Sequence, residues 1–327
     1  MRRREFITLL VGAAAVLPQA ALAQGGIRRI SVLMQAEENQ QYRSWIAAFE
    51  DGLQKLGWVE GRNLRSDYRW AGMDEGKIRR IAKEIVTSKP DLIVSSSSLP
   101  TRILKAEVDT IPIIFTNIVD PVGQGIVASL ARPGGNITGF INLEASVSGK
   151  YVELLKEIAP RVVRVVIVYN PTTAPYFEFY LKPFRAAAAT LGIEPIAAAV
   201  HDLVELNAVM AAHAQQPNTG LIAMPDGFTT SNAKEIASIA LRYKLPSVSS
   251  ALISARQGGL LSYGNDIADN YRRAAVYVDR IFKGEKPSEL PVQFPVKFQM
   301  IVNLKTAKAL DLDVPPLFQQ RADEVIE

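Results

Sequence analysis

Hydroxyl, amide and carboxylate side chains recur just beyond the apolar runs of this chain. Ser95-Ser96-Ser97-Ser98 follows Asp91-Leu92-Ile93-Val94, and Thr116-Asn117 with Asp120 follows Ile111-Pro112-Ile113-Ile114-Phe115. Further along, Asn170-Pro171-Thr172-Thr173, Pro225-Asp226-Gly227 and Ser249-Ser250 close three more such runs. If each run is a strand leading into a helix, these groups gather where backbone amides are free and helix dipoles favour an anion. That arrangement suits a small polar ligand bearing a carboxylate. The same residue types are also the preferred helix caps. One of them alone shows little; their recurrence after most runs is what points to a cleft. The candidate ligand contacts are Ser96, Ser97, Ser98, Asn117, Asp120, Thr172, Thr173, Asp226 and Tyr263, with an aspartate to pair with a ligand ammonium group. Tyr42, Trp45, Tyr176, Phe177 and Phe228 lie near the same edges and could stack on a ligand or fill the core.

Bond-making machinery is not legible. His201 and His213 are the only histidines, both in or beside a helical stretch at 203–215, and neither has metal-ligand spacing. No G-x-S-x-G elbow or Walker loop occurs, and Gly134, Gly135 and Gly139 do not make a dinucleotide fingerprint. Cysteine is absent, which removes disulfides, thiolate metal sites and thiol nucleophiles. No catalytic residue, metal ligand or cofactor is expected. A serine hydrolase using the 95–98 run would need a base within hydrogen-bond reach of one serine, and the histidines are badly placed for it.

The elements that must position these groups alternate. Residues Arg29 to Met34 read as a strand, and 44–56 as a helix with Trp45, Ala48, Phe49, Leu53 and Leu56 on one face. A strand at 63–70 and a helix carrying Ile78, Ile81, Ala82, Ile85 and Val86 follow. After the turn-dense segment Ala131 to Asn136 a second series begins, with strands at 162–169, 193–200, 220–224 and 245–249 and helices at about 148–158, 176–191, 203–215 and 230–243. Continuously apolar strands alternating with helices predict parallel sheets covered on both faces. The expected fold class is therefore α/β, with two doubly wound parallel-sheet lobes. Three short extended segments, at 137–142, 259–263 and 291–295, could carry the chain between the lobes as a three-crossing hinge. The expected lobes are 27–139 with 263–291, and 140–262 with 292–327.

Arg2, Arg3 and Arg4, the apolar stretch from Phe6 to Leu17, and Ala21-Leu22-Ala23 before Gln24 have the order of a secretory leader cut after Ala23. Arg3-Arg4-Glu5-Phe6-Ile7 also resembles the twin-arginine export motif, so twin-arginine and general secretory export both fit. The apolar stretch is too short to span a bilayer. Removing 23 of the 327 residues leaves 304, room for two domains. Loss of Arg2, Arg3, Arg4 and Glu5 lowers the formal charge from +4 to +2. So weak a field offers nothing to nucleic acid or anionic lipid. The expected address is a Gram-negative periplasm, in solution, as a monomer.

Several longer blocks carry a resemblance. Gly52-Leu53-Gln54-Lys55-Leu56-Gly57-Trp58-Val59-Glu60-Gly61-Arg62-Asn63-Leu64 is one, followed by Tyr68-Arg69-Trp70-Ala71. Asp120-Pro121-Val122 with Ser129-Leu130-Ala131-Arg132-Pro133-Gly134-Gly135-Asn136-Ile137-Thr138-Gly139 is another. Gly258-Gly259-Leu260-Leu261-Ser262-Tyr263-Gly264, Asn303 to Leu310 and the closing Arg321 to Glu327 complete the set. Together they resemble the ABC-transporter substrate-binding protein family whose better-studied members bind tryptophan or tyrosine. Ser96-Ser97 stands where many members carry Gly-Thr, so a loop expected to touch the ligand departs from the pattern. The resemblance implies a type I periplasmic-binding fold that traps a small molecule, an amino acid or related carboxylate or aromatic compound, between two lobes. It implies delivery to the membrane permease of an ABC importer. The same fold could instead serve as the ligand-sensing module of a chemoreceptor or kinase.

Overall fold

The computed structural model describes residues 26–327; the leader and its expected cleavage after Ala23 lie outside the described residues. The first lobe begins with β1 (Arg28–Met34), α1 (Gln40–Lys55), β2 (Leu64–Trp70), α2 (Glu75–Ser88), β3 (Leu92–Ser96), α3 (Ser98–Glu107), β4 (Ile113–Ile118) and β5 (Ile137–Ile141). Its five strands pair in parallel in the order β2-β1-β3-β4-β5. Every residue of β3 and β5 is buried, as the unbroken apolar runs predict for strands covered on both faces.

The second lobe holds α4 (Val147–Ile158), β6 (Arg164–Tyr169), α5 (Phe177–Thr190), β7 (Glu194–Ala199), α6 (Leu203–Ala214), β8 (Thr219–Ala223), α7 (Gly227–Ser231), α8 (Ala233–Arg242), β9 (Ser247–Ser249), α9 (Ile253–Arg256) and β10 (Leu261–Asn265). After α10 (Ile267–Phe282) come β11 (Phe298–Asn303), α11 (Leu304–Ala309), α12 (Pro316–Gln320) and β12 (Glu324–Ile326). The second sheet runs β12-β11-β10-β9-β8-β6-β7, parallel throughout except where β10 meets β11.

The chain changes lobe three times. It leaves the first sheet after β5 and returns after β10, when α10 packs on α1. There Tyr271, Ala274 and Val278 share one core with Val32, Trp45 and Phe49. Gly52 makes the close approach of the two helices possible. A Cβ at that position would lie 2.8 Å from the Ala275 Cβ and 3.0 Å from the Arg272 carbonyl oxygen. The last change follows residues 291–293, which run beside β5: the Gln293 amide donates to the Gly139 carbonyl (2.9 Å) and the Ile141 amide to the Gln293 carbonyl (3.0 Å). The lobe limits expected at 139/140, 262/263 and 291/292 fall inside β5, inside β10 and inside this pairing. Ladder hydrogen bonds run through each of these segments.

Candidate functional site

Residues that follow strands of both sheets line one cavity of about 190 Å³. On the first-lobe side the chain turns out of β3 at Ser97, whose φ of 77° and ψ of 175° lie in a region that glycine favours. Its amide donates to the Thr116 carbonyl (2.8 Å) and its hydroxyl to Gln35 Oε1. Ser96 Oγ accepts the Gln35 amide (2.8 Å), and Ser98 Oγ accepts from Gln124 Nε2 (3.0 Å). Asn117, at φ 60°, accepts from Asn270 Nδ2 (3.3 Å).

The start of α3 is left open. The first amides of a helix have no intrahelical acceptor. Ser97 makes no side-chain cap, and Pro100 carries no N–H, so the Ser98 and Leu99 amides keep no capping side chain. Arg102, one turn further on, lines the same cavity and is exposed. No carboxylate among the described residues forms an ion pair with it. Open amides and an exposed guanidinium beside one cavity have the chemistry to receive a carboxylate.

The second-lobe side is closed upon itself. Asn170, after β6, folds the next turn by accepting the Thr172 amide on its Oδ1 (2.8 Å). Asp226, after β8, is only 4% exposed. Its carboxylate accepts the Asn170 amide (2.8 Å), the Phe228 amide (2.9 Å) and the Thr173 hydroxyl. Burial raises the Asp226 pKa, and the hydrogen bonds from Thr173, Asn170 and Phe228 pull it partly back. Tyr176 donates to the Pro225 carbonyl (3.2 Å); burial and then the charge of Asp226 raise its phenol pKa.

Aromatic side chains complete the walls. Tyr42 and Trp45 come from α1 and Tyr176 from the second lobe. Trp45 stacks on Tyr271 (6.0 Å, 26°), and Tyr42 meets Trp45 edge-on (4.7 Å, 85°). Burial raises the Tyr42 phenol pKa, with the Ser231 hydroxyl of the opposite lobe working the other way. The lobes also touch where Met73 reaches Gly227; a Cβ on that glycine would lie 3.0 Å from Met73 Cε. Asn142, at the first change of lobe, lines the cavity, and its buried Oδ1 has no hydrogen-bond partner.

Of the expected contacts, Ser96, Ser97, Ser98, Asn117, Thr172, Thr173 and Asp226 meet at this cavity, and Asp120 and Tyr263 do not. Asp120 instead accepts the Gly123 amide (2.9 Å) and fixes the turn that leaves β4. Tyr263 lies in the middle of β10, its ring between Tyr151 (6.3 Å) and Phe298 (5.7 Å). Of the aromatic candidates, Phe177 stacks on Tyr169 (3.5 Å) and Phe228 packs against the second-lobe core. Arg102 and Asn142 escaped the sequence reading. Asn142 carried the same signal as the others, a polar residue just after a strand. Arg102 sits one helical turn beyond the serine run, and it carried none. The serines are engaged by Gln35, Gln124 and Thr101. Neither histidine lines the cavity, and His201 pairs with Glu205 (2.8 Å) at the start of α6.

The sequence profile of the family described as ABC transporter substrate binding protein matches residues 29–326. The chain belongs to that family. This substrate-binding protein is 26% identical over 273 residues to the tyrosine-binding protein of Clostridioides difficile (strain R20291), which covers 83% of this chain and 76% of the relative. It superposes with a TM-score of 0.84 on a conserved domain protein from Vibrio cholerae O1 biovar El Tor, at 28% identity, over 91% of this chain and 99% of the other. An ABC domain from Streptococcus pneumoniae in complex with L-Trp gives a TM-score of 0.83 at 24% identity, over 92% and 100%. The fold is the type I periplasmic-binding fold, and members of the family are binding proteins that supply an ABC transporter with a small molecule outside the cytoplasmic membrane. Among the described residues no helix is long and apolar enough to cross a membrane.

Proposed function

We propose that this substrate-binding protein captures an aromatic amino acid, or a closely related aromatic carboxylate, between its lobes and hands it to the membrane permease of an ABC importer. One observation carries the reading: a cavity of about 190 Å³ joins an uncapped helix start and Arg102 to a wall of Tyr42, Trp45 and Tyr176. The α3 amides and Arg102 hold the carboxylate. The aromatic wall receives the ring. The ammonium group donates to Asn142 Oδ1, a lining acceptor that has no partner among the described residues. Asp226 does not take the ammonium; its three internal hydrogen bonds leave it to position Thr173 and the turn that begins at Asn170. The relatives named for tyrosine and bound to tryptophan support the same ligand class. The protein works as a monomer in the periplasm once its leader is removed. Contacts such as Met73 with Gly227 part when the lobes open to admit ligand.

Thermal and calorimetric titration of the mature protein with aromatic amino acids, aliphatic amino acids and sugars tests this. Tyrosine or tryptophan at a hundredfold excess over Kd should stabilise the protein by about 2.7 kcal/mol. The radius of gyration should also fall as the lobes close. A response to sugars alone, or to no aromatic carboxylate, refutes the assignment.

A further inference from the structure

The cleft does not end at the smaller cavity. Trp45, Asn142, Thr230 and Ile267 line both it and a second chamber of about 640 Å³. Half of the residues lining this chamber carry uncharged amides or hydroxyls, among them Asn39, Gln41, Ser250, Gln257, Asn265 and Gln299, and most of the rest are apolar. Its two charged residues are already paired: Asp266 with Lys297 (2.8 Å), and Arg256 with Glu324 (2.7 Å). Two of its polar atoms are not. Asn265 is 4% exposed and its Nδ2 has no partner, and Asn142 Oδ1 has none either. Leaving a buried donor or acceptor unpaired is unfavourable. A chamber that holds one of each fits a group offering both a donor and an acceptor, and an amide is such a group.

We propose that this chamber is a second subsite for an amide-linked, uncharged polar extension on the amino nitrogen of the ligand. The preferred ligand is then an extended aromatic amino acid, either an N-blocked dipeptide with a C-terminal aromatic residue or a simple N-acyl derivative. The inference rests on the reading that an aromatic carboxylate occupies the smaller cavity. With the carboxylate on α3 and the ring against Tyr42 and Trp45, the nitrogen lies toward Asn142, which both cavities share. As an amide it donates to Asn142 Oδ1, and its carbonyl and extension enter the chamber that Asn265 lines.

Calorimetry with L-tyrosine, N-acetyl-L-tyrosine and the N-blocked dipeptide N-acetyl-Gln-Tyr tests the proposal. At least one extended compound should bind tenfold or more tightly than tyrosine, and the arm that does so identifies the source. Leu252→Trp, which narrows the larger chamber and lies outside the smaller one, should abolish that advantage while leaving tyrosine affinity within about twofold. Asn265→Leu should weaken the extended ligand about tenfold; if it fails to fold, Leu252→Trp decides alone. Should tyrosine bind and both extended compounds bind no more tightly, or should Leu252→Trp leave their advantage intact, the second subsite is refuted and the smaller site stands. Should none of the three bind, nor tryptophan, the aromatic-carboxylate reading falls and takes the subsite with it.

Discussion

The two faces of the cleft draw on the same residue types and treat them in opposite ways. On the first-lobe face the start of α3 is uncapped, Ser97 and Asn117 hold left-handed backbone angles, and no carboxylate among the described residues pairs with Arg102. On the second-lobe face Asn170 caps its own turn, and Asp226 ties that turn to α7 through three hydrogen bonds. Strained backbone is raised in free energy and open donors remain available to a ligand, whereas a satisfied network is stiff and has no donor to offer. The first face is therefore expected to take the ligand and the second to close on it as a preformed wall. A polar residue after a strand does not announce which of these roles it has; its neighbours decide by whether they satisfy it.

Substitutions on the two faces can break that contrast. Asp226→Ala should show the largest effect, a loss of about 3 kcal/mol in urea unfolding of the ligand-free protein, because one buried and two partly buried donors lose their acceptor. A loss below about 1 kcal/mol would mean that the second face is no stiffer than the first. Acid should amplify the difference. The folded-state pKa of Asp226 is raised above 3.8, so at neutral pH its burial weighs against folding. As pH falls through the folded value toward 3.8 the folded protein takes up the proton first and gains stability. The gap between wild type and Asp226→Ala should widen over that window; a constant gap would contradict the assigned environment.

Arg102→Ala probes the other face. Calorimetric affinity for an aromatic amino acid should fall about 10- to 100-fold, the equivalent of one charged hydrogen bond. Ligand-free stability should stay within about 0.5 kcal/mol, as for an exposed residue without partners. A drop in stability with affinity retained would exchange the roles of the two faces. Asn142→Ala should cost about fivefold in affinity, roughly 1 kcal/mol. It should not lower ligand-free stability, since the oxygen removed has no partner to lose. An effect of similar size but opposite sign belongs to Ser97→Gly, which should raise ligand-free stability by about 1 kcal/mol by relieving the backbone. A fall would show that the Ser97–Gln35 hydrogen bond outweighs the strain.

Much of this architecture was legible in the residues. Runs such as Leu92-Ile93-Val94 and Ile113-Ile114-Phe115 are apolar at every position, and only a strand covered on both faces uses such a run well. The strand-end rule then placed most of the polar candidates at one cavity. It failed at Tyr263 because residues 259–263 read as a connector, whereas β10 is a paired strand that directs this ring into a layer of aromatics. At Asp120 the position was sound, but the carboxylate turned onto Gly123, a contact within its own loop that no pattern distinguishes from an open group. Asn142 was passed over because its segment was read as a hinge crossing and the strand-end rule was not applied to it. Arg102 needed the third dimension, since its importance comes from the missing cap on Ser97.

The place of α10 has a consequence for how the protein is made. The helix that closes over Trp45 and Phe49 is encoded after all the strands from β6 to β10. A nascent chain cannot complete its first lobe when residue 141 leaves the ribosome; it must wait until about residue 290 has emerged, with the second lobe already looping out between. A prematurely terminated product would keep the α1 face bare, and its apolar side chains would mark it for chaperones and proteases. A translocation route that accepts only folded cargo would then reject a copy that ends before α10.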